Sequence, residues 1–304
     1  MNKVNKKKMS EWLQYGIIAA ATISLGVAGG IIIKKKFGGE EITYSGFDPE
    51  AFKADGPALL KEYQKNPKKS FTPAEKVCIG LEKYKSNENS YSVSIGVADT
   101  IVKQTIRNAQ IKNGNSYFEE QVSRSSMVSM ANRTIQQSDG VKMHKGKATG
   151  DEKGEYPKEY TLFKPEDYKT TYGKTPEEMF IYIISNKTVN LDKCSISEKN
   201  GKIKIILDLD KDIATYYYKV QMKGMSNLAG LPVFEYVKLK YTFDSNMTLL
   251  HMKVDEKYKA SMAGVTATIV NDIDNYYFAG KKIKIPGLNE SLNYSKLKGE
   301  TSYE

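Results

Sequence analysis

The sequence predicts an α+β protein: an N-terminal single transmembrane helix followed by a large curved antiparallel sheet, an open half-barrel, with packed helices. Three observations carry this. Tyr15–Ile33 is a run of nineteen uncharged residues bracketed by Lys6-Lys7-Lys8 and Lys34-Lys35-Lys36. From Tyr91 onward the apolar period is two, the repeat of a strand with one dry face. Hairpin dipeptides, Asn113-Gly114, Asp139-Gly140 and Asn200-Gly201, fall between the alternating segments and accept the positive φ angles of tight turns.

At ~1.5 Å per residue the uncharged run covers about 28 Å, the thickness of a bilayer's hydrocarbon core. Trp12 and Tyr15 stand where aromatic anchors meet headgroups. The run continues through Ile31-Ile32-Ile33 directly into three lysines, a poor cleavage site, so the span is expected to stay uncleaved. Lysines outnumber on the amino-terminal side, which places the N-terminus in the cytoplasm and the body outside it. Gly26 and Gly30 form a G-x-x-x-G, a spacing that lets two helices approach closely and form a homodimer through the membrane. The expected organisation is a cytoplasmic basic tail (1–14), the span (15–33), a juxtamembrane stalk and short helix (34–71), an extracytoplasmic sheet domain (72–286) and a loose C-terminal tail (287–304).

The chain carries a formal net charge of +10. With the seven lysines flanking the span and Glu11 set aside, the body holds 39 basic against 35 acidic residues, a net of +4. Most of the basicity belongs to the anchor, which argues against nucleic-acid binding. The two cysteines, Cys78 and Cys194, fit no C-x-x-C motif; outside the cytoplasm they either pair or remain buried thiols.

A first helix is expected over Pro57–Lys65, ending before Asn66-Pro67. Thr72-Pro73-Ala74-Glu75 then gives an N-cap, a proline at the first helical position and the glutamate of a capping box, starting a helix to about Lys85. Five strands follow: Tyr91–Ala98, Val102–Ile111, Ser116–Ser125, Val128–Gln136 and Val141–Lys147, then a polar loop to Tyr160. Thr175-Pro176-Glu177-Glu178 repeats the helix-start signal before MFIYIISN, so Met179–Asn186 is expected as a buried helix across the concave face. Further strands are Cys194–Ser197, Lys202–Leu209, Thr215–Met222, Val233–Phe243, Thr248–Lys257 and Ser261–Phe278. In the clearest, Val237, Leu239, Tyr241 and Phe243 alternate with Lys238, Lys240 and Thr242.

Catalytic motifs are not found. His144 and His251 sit in no constellation, and there is no G-x-S-x-G, P-loop or dinucleotide fingerprint. Asp208, Asp210 and Asp212 open like a calcium loop, but Ile213 stands where glycine must turn and Lys219 where the bidentate glutamate belongs. No metal and no cofactor are expected, and the body is read as non-enzymatic.

Helix LEKYKSN, then SYSVSIGVADT, then NGNSYFEEQVS, and later EYVKLKYTFDSNMTLLHMKVDEKY, resemble the lipoprotein-carrier superfamily of bacterial cell envelopes (LolA, LolB and LppX-like proteins). The resemblance lies in element order and strand style over about Thr72–Pro286. It implies a membrane-anchored envelope protein that holds a lipid or other apolar ligand, with Met179, Phe180, Ile183, Ile184, Tyr217, Val237, Leu239 and Tyr241 lining the ligand. The permanent anchor departs from soluble carriers and favours a fixed receptor or sensor. The alternative is an assembly or scaffold component, such as an inner-membrane part of a type IV secretion machine, whose tyrosine-rich sheet binds protein partners.

Overall fold

A computed structural model describes residues 48–100, 103–125, 130–150, 156–164, 167, 182–219, 222, 228, 230–262 and 265–299. The expected span, with Trp12, Tyr15, Gly26 and Gly30, lies outside the described residues, as do Met179 and Phe180. Among the described residues no helix is long and apolar enough to cross a membrane.

Among the described residues, helices α1 (Gly56–Lys65) and α2 (Pro73–Lys85) precede eleven strands: β1 (Asn89–Asp99), β2 (Gln104–Asn113), β3 (Ser116–Ser125), β4 (Met130–Ser138), β5 (Met143–Gly150), β6 (Thr161–Phe163), β7 (Ser195–Lys199), β8 (Lys202–Asp208), β9 (Val233–Asp244), β10 (Leu249–Met262) and β11 (Val265–Ala279), followed by a short helix α3 (Tyr294–Lys298). The capping box forms as its residues dictate: Thr72 Oγ1 accepts from Glu75 N, and Glu75 Oε2 accepts from Thr72 N.

All strands join one open antiparallel sheet in the order β6-β5-β4-β3-β2-β1-β11-β10-β9-β8-β7. Two meanders are sewn together where β1 pairs with β11, Ser92 opposite Tyr277 and Gly96 opposite Ile273. Gly114, Gly140 and Gly201 take positive φ in the hairpins that their dipeptides announced.

Each face is covered by a different segment. On the helix face, α2 lies on β8–β10: Val77, Ile79 and Leu81 join Ile205, Leu207, Val237, Leu239, Tyr241, Phe243 and Val254 in the main apolar core. On the opposite, tail face, Tyr91, Val93, Ala109, Ile111, Phe118 and Ile135 form a second core covered by Ile283, Ile285, Leu288, Leu292 and Leu297. Residues 287–299 of the tail expected to be loose (287–304) are therefore part of a packed layer. Its apolar residues are sparse, but those of residues 283–297 pack against an otherwise exposed apolar face, which supplies the burial energy.

Two elements differ from the sequence expectation. Tyr182–Asn186, expected as the end of a helix, is irregular, with Thr188 Oγ1 accepting from Ser185 N and donating to Ile183 O. The expected strand Thr215–Met222 is helical at residues 216–219. There Asp210 Oδ1 accepts from the backbone of Asp212 and Ile213 and turns the chain, so local capping outweighs the β-propensity of three tyrosines.

Candidate functional site

The helix face changes character across the β1–β11 seam. Over β8–β11 it is apolar and filled. Over β1–β4 it is polar and still buried. Ser92, Gln110, Glu119 and Gln136 form one cross-strand row, and Ser94, Asn108, Gln121 and Thr134 form the next. Since side chains alternate along a strand, this row takes every second residue and leaves Ala109, Ile111 and Phe118 for the tail face.

Glu119 is the centre of the polar half and is 1% exposed. Its Oε1 accepts from Asn108 Nδ2 (3.0 Å), Gln110 Nε2 (3.1 Å) and Gln121 Nε2 (2.9 Å), and its Oε2 from Tyr117 Oη (3.1 Å) and Gln136 Nε2 (2.8 Å). Four side-chain amides and a phenol thus surround one carboxyl, each oriented by an acceptor that takes only donors when ionised. Burial pushes Glu119 up to about 7, against the opposing pull of the Asn108, Tyr117 and Gln121 hydrogen bonds and the Lys145 charge. Both terms are physically expected: desolvation favours the neutral acid, hydrogen bonding the anion.

A second buried carboxyl, Glu256, stands on the same face in the apolar half. It accepts from Tyr182 Oη (2.6 Å), Tyr218 Oη (3.0 Å) and Asn271 Nδ2 (2.7 Å). Burial raises its pKa, and those three hydrogen bonds oppose the rise. This cluster ties the irregular segment and the 216–219 helix to β10. The locally capped 216–219 helix thereby delivers Tyr218 to the acid.

Of the residues that sequence reasoning nominated as ligand lining, Val237, Leu239 and Tyr241 lie in the main core beneath α2, joined there by Ile184. Ile184 O accepts from Cys78 Sγ at 3.2 Å, and burial pushes that thiol up to about 12. Ile183 is buried and donates its N–H to Ala214 O. Tyr217 points elsewhere: its hydroxyl donates to Glu50 and its ring lies under Lys53, at the surface. Both cysteines are free thiols. The three aspartates of the calcium-like stretch are spent on other partners, Asp208 on Asn190, Asp210 on its own turn and Asp212 on Lys219. Among the described residues no group of three or more His, Cys, Asp or Glu side chains is placed to hold a metal.

Sequence reasoning missed the polar half. A usable signal was present in Glu119-Glu120: adjacent acids inside a strand must face opposite sides, so a sheet covered on both faces has to bury both. Glu120 indeed lies on the tail face, where Arg133 and Tyr294 meet it.

The chain matches no protein-family model and no curated protein. Among solved structures, the crystal structure of an inactive mutant of CurK dehydratase shares 13% identity, covering 69% of this chain and 84% of that one, with a TM-score of 0.14. A likeness at that score carries no argument about fold or activity.

Proposed function

We propose that the chain is a membrane-anchored, non-catalytic protein of the cell envelope whose body lies outside the cytoplasm and binds an amphiphilic ligand on the helix face of its sheet. One observation supports this reading above others: a single face of a single sheet passes from an apolar half to an amide-lined half centred on Glu119. An acyl chain would take the place that α2 covers on the first surface, and a hydrogen-bonding headgroup suits the second. An open antiparallel sheet with helices on one face also accords with the carrier resemblance, and the proposed curvature of that sheet would bring the two halves around one ligand.

The test is extraction of the full chain, purified from membranes in mild detergent, followed by mass spectrometry of the organic phase. A lipid retained near one per protein is expected, with retention falling in Gln110→Leu. A protein that carries no lipid, in wild type and variant alike, overturns the reading. Protease added to protoplasts is expected to digest the body and spare a small N-terminal fragment; full protection reverses the orientation.

A second reading, an assembly component that binds a protein partner, is favoured by the filling of the apolar half with the protein's own side chains. In that case the extraction returns no lipid, and crosslinking in membranes captures one stable envelope partner.

A further inference from the structure

The sequence holds two Asn-Gly pairs, Asn113-Gly114 and Asn200-Gly201. Such a pair carries its own reaction: the glycine nitrogen attacks the asparagine side-chain amide, and glycine has no Cβ to block the approach. Both pairs close two-residue hairpins, so the local sequence treats them alike. The fold does not.

Asn113-Gly114 joins β2 to β3, two strands inside the sheet. Asn113 Nδ2 donates to Ile283 O at 2.7 Å, and Gly114 N donates to Glu88 O at 2.9 Å. The leaving amide is therefore held by the C-terminal layer, and the attacking nitrogen by the chain that enters β1. Asn200-Gly201 joins β8 to β7, the strand at the end of the sheet. All five residues of β7 are exposed. Asn200 has a φ of 53° and Gly201 one of 69°, and no atom lies within 4 Å of the place a Gly201 Cβ would take. Among the described residues no hydrogen bond holds the Asn200 side-chain amide or the Gly201 N–H. Ring closure requires the backbone to leave the left-handed turn conformation, so the hairpin must open first. An edge strand with no buried residue opens at far lower free energy than a hairpin between paired strands beneath a packed layer.

We propose that Asn200 is a site of spontaneous covalent modification, deamidation through a cyclic imide, and that the fold protects Asn113 from the same reaction. Gly201 N forms a bond to Asn200 Cγ and gives up its proton to water. The Cγ–Nδ2 bond breaks, and the nitrogen leaves as ammonia. One water molecule then opens the imide at either carbonyl, giving aspartate or, with the chain rerouted through Cβ, isoaspartate. Nothing is oxidised or reduced. Isoaspartate adds one atom to the main chain, so the turn no longer fits the Lys199–Lys202 register and β7 is released from β8. The site lies at the edge of the sheet and does not depend on the amphiphile reading.

The test ages the full chain in mild detergent and mildly alkaline buffer. Both Asn-Gly peptides are followed by mass spectrometry as a gain of about one dalton. In the folded chain, conversion at Asn200 is expected to run at least about tenfold faster than at Asn113. In urea the two rates should approach each other, because the reacting atoms are the same. Asn200→Gly keeps a turn that accepts positive φ and should abolish the gain at this site. Hydrogen exchange in residues 195–199 should rise in the isoaspartate fraction. It should stay at the wild-type level in Asn200→Asp, which adds the charge on an unaltered main chain. Equal rates at the two sites in the folded chain, faster conversion at Asn113, or conversion of Asn200 only in urea overturns the proposal. Exchange that rises as much in Asn200→Asp overturns the release of β7 by the rerouted chain.

Discussion

Gly80 of α2 presses directly on Phe243 of β9: a Cβ built on Gly80 would sit 2.1 Å from Phe243 Cε1. The helix therefore approaches the sheet as closely as a backbone can, over the most apolar part of the core. Phe243 is fully buried and has no free direction in which to yield. Gly80→Ala is expected to destabilise the domain by ~1–3 kcal/mol through overpacking, despite alanine's better helix propensity. Urea denaturation measures it. Phe243→Leu in the Gly80→Ala background should recover part of the loss, and a Gly80→Ala variant more stable than wild type would show that the helix can shift outward freely.

Glu119 makes stability depend on pH. Its folded pKa of about 7 stands above the ordinary 4.5, so the folded state holds this proton more tightly than the unfolded chain. The folded state pays no penalty below about 4.5, loses stability as pH rises from there to about 7, and bears the full cost above it. A shift of this size corresponds to at most ~3 kcal/mol. Wild type is expected to lose more stability between pH 5 and pH 8 than Glu119→Gln does, measured by denaturation at both pH values. Identical pH slopes for the two proteins would refute the assignment.

Tyr182 and Glu256 hold the irregular segment to the sheet through a 2.6 Å hydrogen bond. Tyr182→Phe should cost ~1.5–3 kcal/mol, the range for a bond to a group that can ionise, because Glu256 keeps its burial and loses a donor. In a double-mutant cycle with Glu256→Gln the two losses should add to more than the double variant's own loss. Simple additivity would mean that the two side chains contribute independently.

The C-terminal layer is anchored by Tyr294, whose hydroxyl donates to buried Glu120. Tyr294→Phe is expected to destabilise by ~1–3 kcal/mol and to raise hydrogen exchange in residues 281–298 before exchange rises in β2–β4. Uniform loosening of the whole sheet would show that the layer and the sheet unfold as one unit.

Much of this fold was legible along the chain. The capping box at Thr72 and Glu75 sets the start of α2, and the Asn-Gly and Asp-Gly pairs place three hairpins. Strict alternation in Val237, Leu239, Tyr241 and Phe243 identifies the dry face of β9. Each of these signals is local: its partners lie within a few residues, or its period is read along one strand.

Other features belong to the tertiary structure alone. In QTIRNAQIK and SYFEEQVSR both alternating sets are part polar and part apolar, so periodicity cannot say which set faces the helices. That was decided by the seam between β1 and β11, which joins Ser92 to Tyr277 and carries the register across the whole sheet. The helix at 216–219, started by its own Asp210 turn, is docked on the sheet because Tyr218 meets Glu256, 38 residues away, and the last segment is held to the tail face because Tyr294 meets Glu120, 174 residues away. That Arg107, Arg124 and Arg133 share one face of β2–β4 is likewise invisible until three strands are paired. Sequence patterns determine what each segment buries; which buried groups meet is settled only when distant strands pair, because hydrogen bonds and charges act over a few ångströms in space at any separation along the chain.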